Sequence, residues 1–194
     1  MSTLCPGLSN PVHDAQKTFR ALLDALARPG TRQVLAPVQP PVGLAPACGA
    51  ACLTLVDLET TVWIQPGLPA AIAQWLRFHQ GCPITTDPQQ ADFALIADIA
   101  SAPDLTAFRW GSAEYPEDST TVLIQLPRLD GGVPVTLQGP GIQSTLQVEL
   151  PLPEYFWSQW QEMTAAYPLG VDAWFFADNQ GIGLPRTTQL SAYR

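Results

Sequence analysis

The sequence predicts a single-domain α/β protein, a mixed sheet flanked by helices. Three observations carry this. In the first half, short apolar strands alternate with amphipathic helices, which favours parallel pairing through crossovers. In the second half, three β segments follow closely on one another, which favours antiparallel hairpins. The 194 residues suffice for one sizeable core, and 20 prolines call for short elements and rigid loops. There is no internal repeat and no low-complexity tail.

Asn10-Pro11 opens the first helix, over 12–28, in which Ala15, Phe19, Leu22, Leu23 and Leu26 recur at three and four and mark a buried face. Pro29-Gly30 stops it, and a short strand over 32–36 leads into a proline-rich loop. The small residues of 44–58 read as a buried helix, and Thr61-Val62-Trp63-Ile64-Gln65 as a strand ended by Pro66-Gly67. A helix over 68–78 follows, with Leu68, Ile72, Trp75 and Leu76 on its apolar face. Next come a strand over 92–97 and a short helix near 103–110. The close-set β segments are 120–126, 133–138 and 144–150, and the last long helix spans 153–166. Its stripe of Phe156, Trp157, Trp160 and Met163, flanked by Tyr155 and Tyr167, suits either core packing or a partner surface. A strand over 171–177 then turns at Asp178-Asn179-Gln180-Gly181 into a second strand ending at Pro185.

Composition excludes some classes of function. A net charge of −8, with its few basic residues scattered singly, argues against nucleic acid as a ligand. Only 13% of residues are charged, so much of the surface is neutral and suits burial against partner chains. The N-terminus has no secretory pattern. The uncharged span between Arg32 and Asp57 carries Pro37, Pro40, Pro41 and Pro46, which would leave backbone groups unpaired in lipid. The chain reads as soluble, cytoplasmic and without a membrane partner.

Few residues offer chemistry. After Pro185, Arg186 with Thr187 and Thr188 presents a guanidinium and two hydroxyls, a set that suits a phosphate-like or carboxylate oxyanion. Arg186 equally suits a sheet-edge cap or an interface salt bridge. Arg77 and His79, at a helix end, could converge on an anion; His79 there also suits a cation facing the helix dipole. Cys48, Cys52, His79 and Cys82 supply four nitrogen and sulfur groups for a zinc ion, although Cys48 and Cys52 lie among small residues where free cysteine packs as a small hydrophobe. The sequence has two histidines and no Gly-x-Ser-x-Gly elbow, so nucleophilic hydrolysis is poorly supported. Gly139-Pro140-Gly141 and Gly181-Ile182-Gly183 lack the Gly-Lys-Ser/Thr ending of a phosphate-binding loop. Pyridoxal phosphate needs a lysine for its Schiff base, and Lys17, the only lysine, lies on the first helix among Gln16, Thr18 and Arg20, a natural solvated face.

Several stretches together resemble one family. His13-Asp14-Ala15-Gln16-Lys17-Thr18-Phe19-Arg20, ending in Ala27-Arg28-Pro29-Gly30, is similar to the opening helix of PhnH, the H subunit of the bacterial carbon–phosphorus lyase system. Leu76-Arg77-Phe78-His79, Gly139-Pro140-Gly141-Ile142, Pro168-Leu169-Gly170-Val171-Asp172 and Leu184-Pro185-Arg186-Thr187-Thr188 resemble it too, so the likeness runs from about residue 11 to 190.

The resemblance implies a fold like the pyridoxal-phosphate-dependent transferases without the cofactor. It implies a homodimer that joins the G, I and J subunits in a core complex. That complex transfers the ribose triphosphate of ATP to an alkylphosphonate and releases adenine. Catalysis is assigned to the I subunit, so the expectation is an accessory chain with no catalytic residue, no cofactor and no metal. The substrate or interface candidates are Arg77, His79, Arg186, Thr187 and Thr188. Two other readings stand beside it: a stand-alone enzyme acting on a phosphorylated metabolite, and a zinc-binding structural module.

Overall fold

A computed structural model describes residues 4–191. Helix α1 (Pro11–Ala27) begins at Asn10, whose side chain accepts from the backbone N–H of His13, and proline occupies the first turn, where its missing N–H costs nothing. Strand β1 (Arg32–Val34) leads to α2 (Pro46–Leu55), then β2 (Val62–Ile64), α3 (Ala70–Gln80), β3 (Ile84–Thr85) and β4 (Phe93–Ile96). After β5 (Thr121–Gln125) come β6 (Val135–Gln138), β7 (Leu146–Val148), α4 (Glu154–Thr164), β8 (Asp172–Ala177), β9 (Gln180–Leu184) and β10 (Gln189–Leu190). Gly81 closes α3 at φ 68°, a left-handed position that favours glycine.

The main sheet has seven strands in the order β1-β9-β8-β5-β4-β2-β3. β9 is antiparallel to both neighbours and the other pairs are parallel, so six strands share one direction. Alternate residues of the central strands feed two cores, as the pleat requires. Val122, Ile124, Ala173 and Phe175 face α4 and the small sheet, while Leu123, Trp174 and Phe176 face α1, α2 and α3. The small sheet, β10-β6-β7, is antiparallel and closes the α4 side.

Three expectations need correction. Segment 120–126 is not part of an antiparallel run; it is the parallel strand between β4 and β8, and its apolar run is buried on both faces. Segment 103–110 is a single 3₁₀ turn, Leu105–Ala107, with no room for a longer helix before the bridge of Trp110 to Ser119. The stripe on α1 is not wholly buried: Leu22 is, but Phe19 and Leu23 are 51% and 57% exposed, because the helix is rolled to seat Thr18, Leu22 and Ala25. Phe156, Trp157 and Trp160 of α4 do lie in the core, while Tyr155 is 43% exposed.

Tight approach of backbones fixes the first helix. A Cβ on Gly183 of β9 would stand 2.6 Å from the carbonyl carbon and oxygen of Ala25, so only glycine lets α1 lie this close on the sheet.

Candidate functional site

Open α/β sheets bind ligands outside the carboxyl ends of their strands, where the strand order reverses. Here that point lies between β2 and β4, since the chain passes from β2 out to β3 and then back across to β4. Gln65, the residue after β2, fills it. Its Oε1 accepts from the N–H groups of Ala97 and Asp98 at 3.0 and 2.9 Å, and its Nε2 donates to the Asp98 carbonyl at 2.8 Å. Only 4% of the residue is exposed. Further along the same edge, Gln125 Oε1 accepts from Ala45 N–H at the start of α2, and the Asp178 carbonyl accepts from Ala47 N–H at 2.8 Å. Two donors that a helix N-terminus would offer to an anion are therefore bound to the chain itself.

The five candidate residues fall into two groups that do not meet. Arg186, just beyond β9, has its donors turned inward. Its backbone N–H donates to Asp172 Oδ1 at 2.8 Å and its Nη2 to Asp172 Oδ2 at 2.6 Å. Nη1 reaches the carbonyl of Pro116 at 2.8 Å and Nη2 the hydroxyl of Ser119 at 2.5 Å. The side chain is 12% exposed and forms an ion pair with Asp172. Thr188 is fully buried, and its carbonyl accepts from the Trp160 indole at 2.9 Å. Thr187 and Arg186 line a cleft of about 280 Å³ with Pro140, Thr164, Tyr167 and Gln189.

Arg77 and His79 belong to α3. Arg77 is exposed, and its side chain makes no hydrogen bond or ion pair among the described residues; its carbonyl accepts from Gly81 N–H at the end of α3. His79 Nε2 lies 3.0 Å from the Cys5 carbonyl, and its ring stands edge-on to Trp75 and Phe78. The cleft beside it, of about 300 Å³, is lined by Gly7, Leu8, Pro11, Leu53 and Gln80 and shares no residue with the cleft at Thr187.

The cysteines behave as packing residues. Cys48, Cys52 and Cys82 are buried in the core between the helices and the sheet. A hydrogen bond to the Cys52 side chain, together with burial, pushes the Cys48 thiol well above its usual range. Burial also raises the Cys82 thiol. Raised thiols disfavour the thiolate that zinc requires. Among the described residues, no three His, Cys, Asp or Glu side chains are grouped so as to hold a metal ion.

Sequence reasoning missed the structural roles of Gln65 and Gln125. Each is a polar residue at the end of an apolar strand, a faint signal of a side chain that stitches neighbouring loops. Among the described residues, no helix is long and apolar enough to cross a membrane.

Sheet, layers and inward-turned polar groups define a mixed α/β protein with its strand-end crevice filled by its own side chains. The family described as bacterial phosphonate metabolism protein (PhnH) matches residues 6–191, and the chain belongs to that family. It is 37% identical over 185 residues to the alpha-D-ribose 1-methylphosphonate 5-triphosphate synthase subunit PhnH of Rhizobium meliloti (strain 1021), across 94% of this chain and 92% of that one. It is also 40% identical over 85 residues to HtxG of Stutzerimonas stutzeri, named as a C-P lyase subunit protein, across 43% of each chain.

Proposed function

We propose that this chain is an accessory subunit of the complex that makes ribose 1-methylphosphonate 5-triphosphate in phosphonate catabolism. The observation that carries the reading is the near full-length match to a curated subunit of that synthase. In that reaction the ribose triphosphate of ATP passes to an alkylphosphonate and adenine leaves. The chain works with G, I and J partner subunits, as a homodimer, in the cytoplasm, and the reacting groups come from a partner. Its own polar residues support this role, since Gln65, Gln125 and Arg186 are occupied with the fold. The layout of six parallel strands and one reversed strand supports kinship with the pyridoxal-phosphate-dependent transferases.

Of the five candidate residues, Arg77 is the one proposed to meet a partner or substrate, because its guanidinium is exposed and unengaged among the described residues. Thr187 is proposed as a rim contact of its cleft, while Arg186, His79 and the backbone carbonyl of Thr188 hold the chain's own structure. Deleting the gene and testing growth on methylphosphonate as the sole phosphorus source tests the role. Loss of growth, restored by this chain only when the partner subunits are present, supports it; growth without the chain contradicts it.

A further inference from the structure

We propose that residues 4–9 form a releasable strap, latched at two adjacent carbonyls, that opens without unfolding the rest of the chain. The segment precedes α1 and runs over the cluster that contains Trp75. Among the described residues, none of the backbone hydrogen bonds outside helices and strands involves residues 4–9, and the segment contains neither helix nor strand. Its polar attachment is made at the Cys5 and Pro6 carbonyls. Trp75 Nε1 donates to the Cys5 carbonyl at 3.0 Å and reaches the Pro6 carbonyl at 3.3 Å. His79 Nε2 lies 3.0 Å from the same Cys5 carbonyl, so it donates there as the Nε2–H tautomer.

Shape completes the latch. Gly7 lies against the imidazole, and a Cβ added there would stand 3.0 Å from His79 Nδ1. Cys5 and Leu8 pack on the cluster while Pro6 and Ser9 face solvent. Open clefts flank the strap on both sides, one of about 300 Å³ at His79 and one of about 360 Å³ at Pro37, Val38 and Gln39. A segment with a few apolar contacts and only two anchored carbonyls belongs to the low-stability end of local opening. Trp75, fully buried and under the latch, belongs to the domain core.

The four free cysteines supply the test, since Cys5 alone lies on the strap and Cys48, Cys52 and Cys82 are buried in the domain. The full chain is mixed with a thiol reagent under native conditions and each site's labelling rate is followed by mass spectrometry. Cys5 is expected to react well before the other three. His79→Ala, which removes one latch donor, is expected to speed Cys5 labelling about tenfold while the other rates stay unchanged. Gly7→Val, which crowds the His79 ring while keeping both donor groups in place, is expected to act in the same direction. Labelling of Cys5 in step with the buried thiols overturns the proposal. So does an unchanged Cys5 rate in both variants, or an equal acceleration of all four sites.

Discussion

Arg186 donates to the carboxylate of Asp172 twice over, from its backbone N–H and from its guanidinium. Asp172 begins β8, and Arg186 follows the end of its antiparallel partner β9, so the pair locks the open end of that hairpin. The same guanidinium reaches Pro116 and Ser119, in the segment that leads into β5. One side chain thus ties three parts of the chain together.

Arg186→Ala should therefore destabilise the fold, by about 2–4 kcal/mol, because the Asp172 carboxylate keeps only the backbone N–H of residue 186 and loses its charged partner, and the Pro116 carbonyl loses its donor. Arg186→Lys should recover little, since a point ammonium cannot span the same acceptors. Urea unfolding of the two variants measures this, and a loss under about 0.5 kcal/mol in both would show the knot to be dispensable.

Gly183→Ala should be more disruptive than its one added methyl suggests. The new Cβ meets the backbone of Ala25 and Leu26, which cannot rotate aside, so α1 must lift from β9. Overpacking of this kind costs about 1–3 kcal/mol. Thermal unfolding should show a lowered midpoint, with the far-UV spectrum retained.

Phe19→Glu and Leu23→Glu should leave the isolated chain about as stable as before, within about 0.5 kcal/mol, because both side chains are more than half exposed. If this ridge is a contact surface of the proposed assembly, the same variants should lose co-purification with partner subunits. Unchanged yield of the complex would remove α1 from the interface.

Stability should fall at alkaline pH through the buried thiols. The folded chain holds the Cys48 and Cys82 protons above the pH at which free thiols release theirs. Folding is thus fully favoured by these groups below the unfolded thiol value, and that contribution declines as pH rises past it. Replacing Cys48 with alanine should flatten the alkaline slope between about pH 8.5 and 10, measured by urea unfolding across that range.

How much was legible follows from the range of each interaction. The helical period placed Ile72, Trp75 and Leu76 on one face of α3, and all three are buried there. The same period grouped Phe19 with Leu22 on α1, yet it carries no information on how far the helix rolls over the sheet. The apolar run Val122-Leu123-Ile124 already bore the mark of a strand covered on both faces. Its closeness in sequence to 133–138 suggested a hairpin instead, while the intervening loop carries the chain to the second sheet. Arg186 stood out by its type, but its partners Pro116 and Ser119 lie about seventy residues away and left no local trace. Gln65 was invisible for the same reason, since its acceptors and donors come from the loop after β4.

The most direct test of the central claim is reconstitution of ribose 1-methylphosphonate 5-triphosphate synthesis from purified components, with product followed by phosphorus NMR. This chain alone should give no product, the partner subunits without it none, and the combined components full turnover. Product formed by this chain in isolation, or an undiminished rate in its absence, would contradict it.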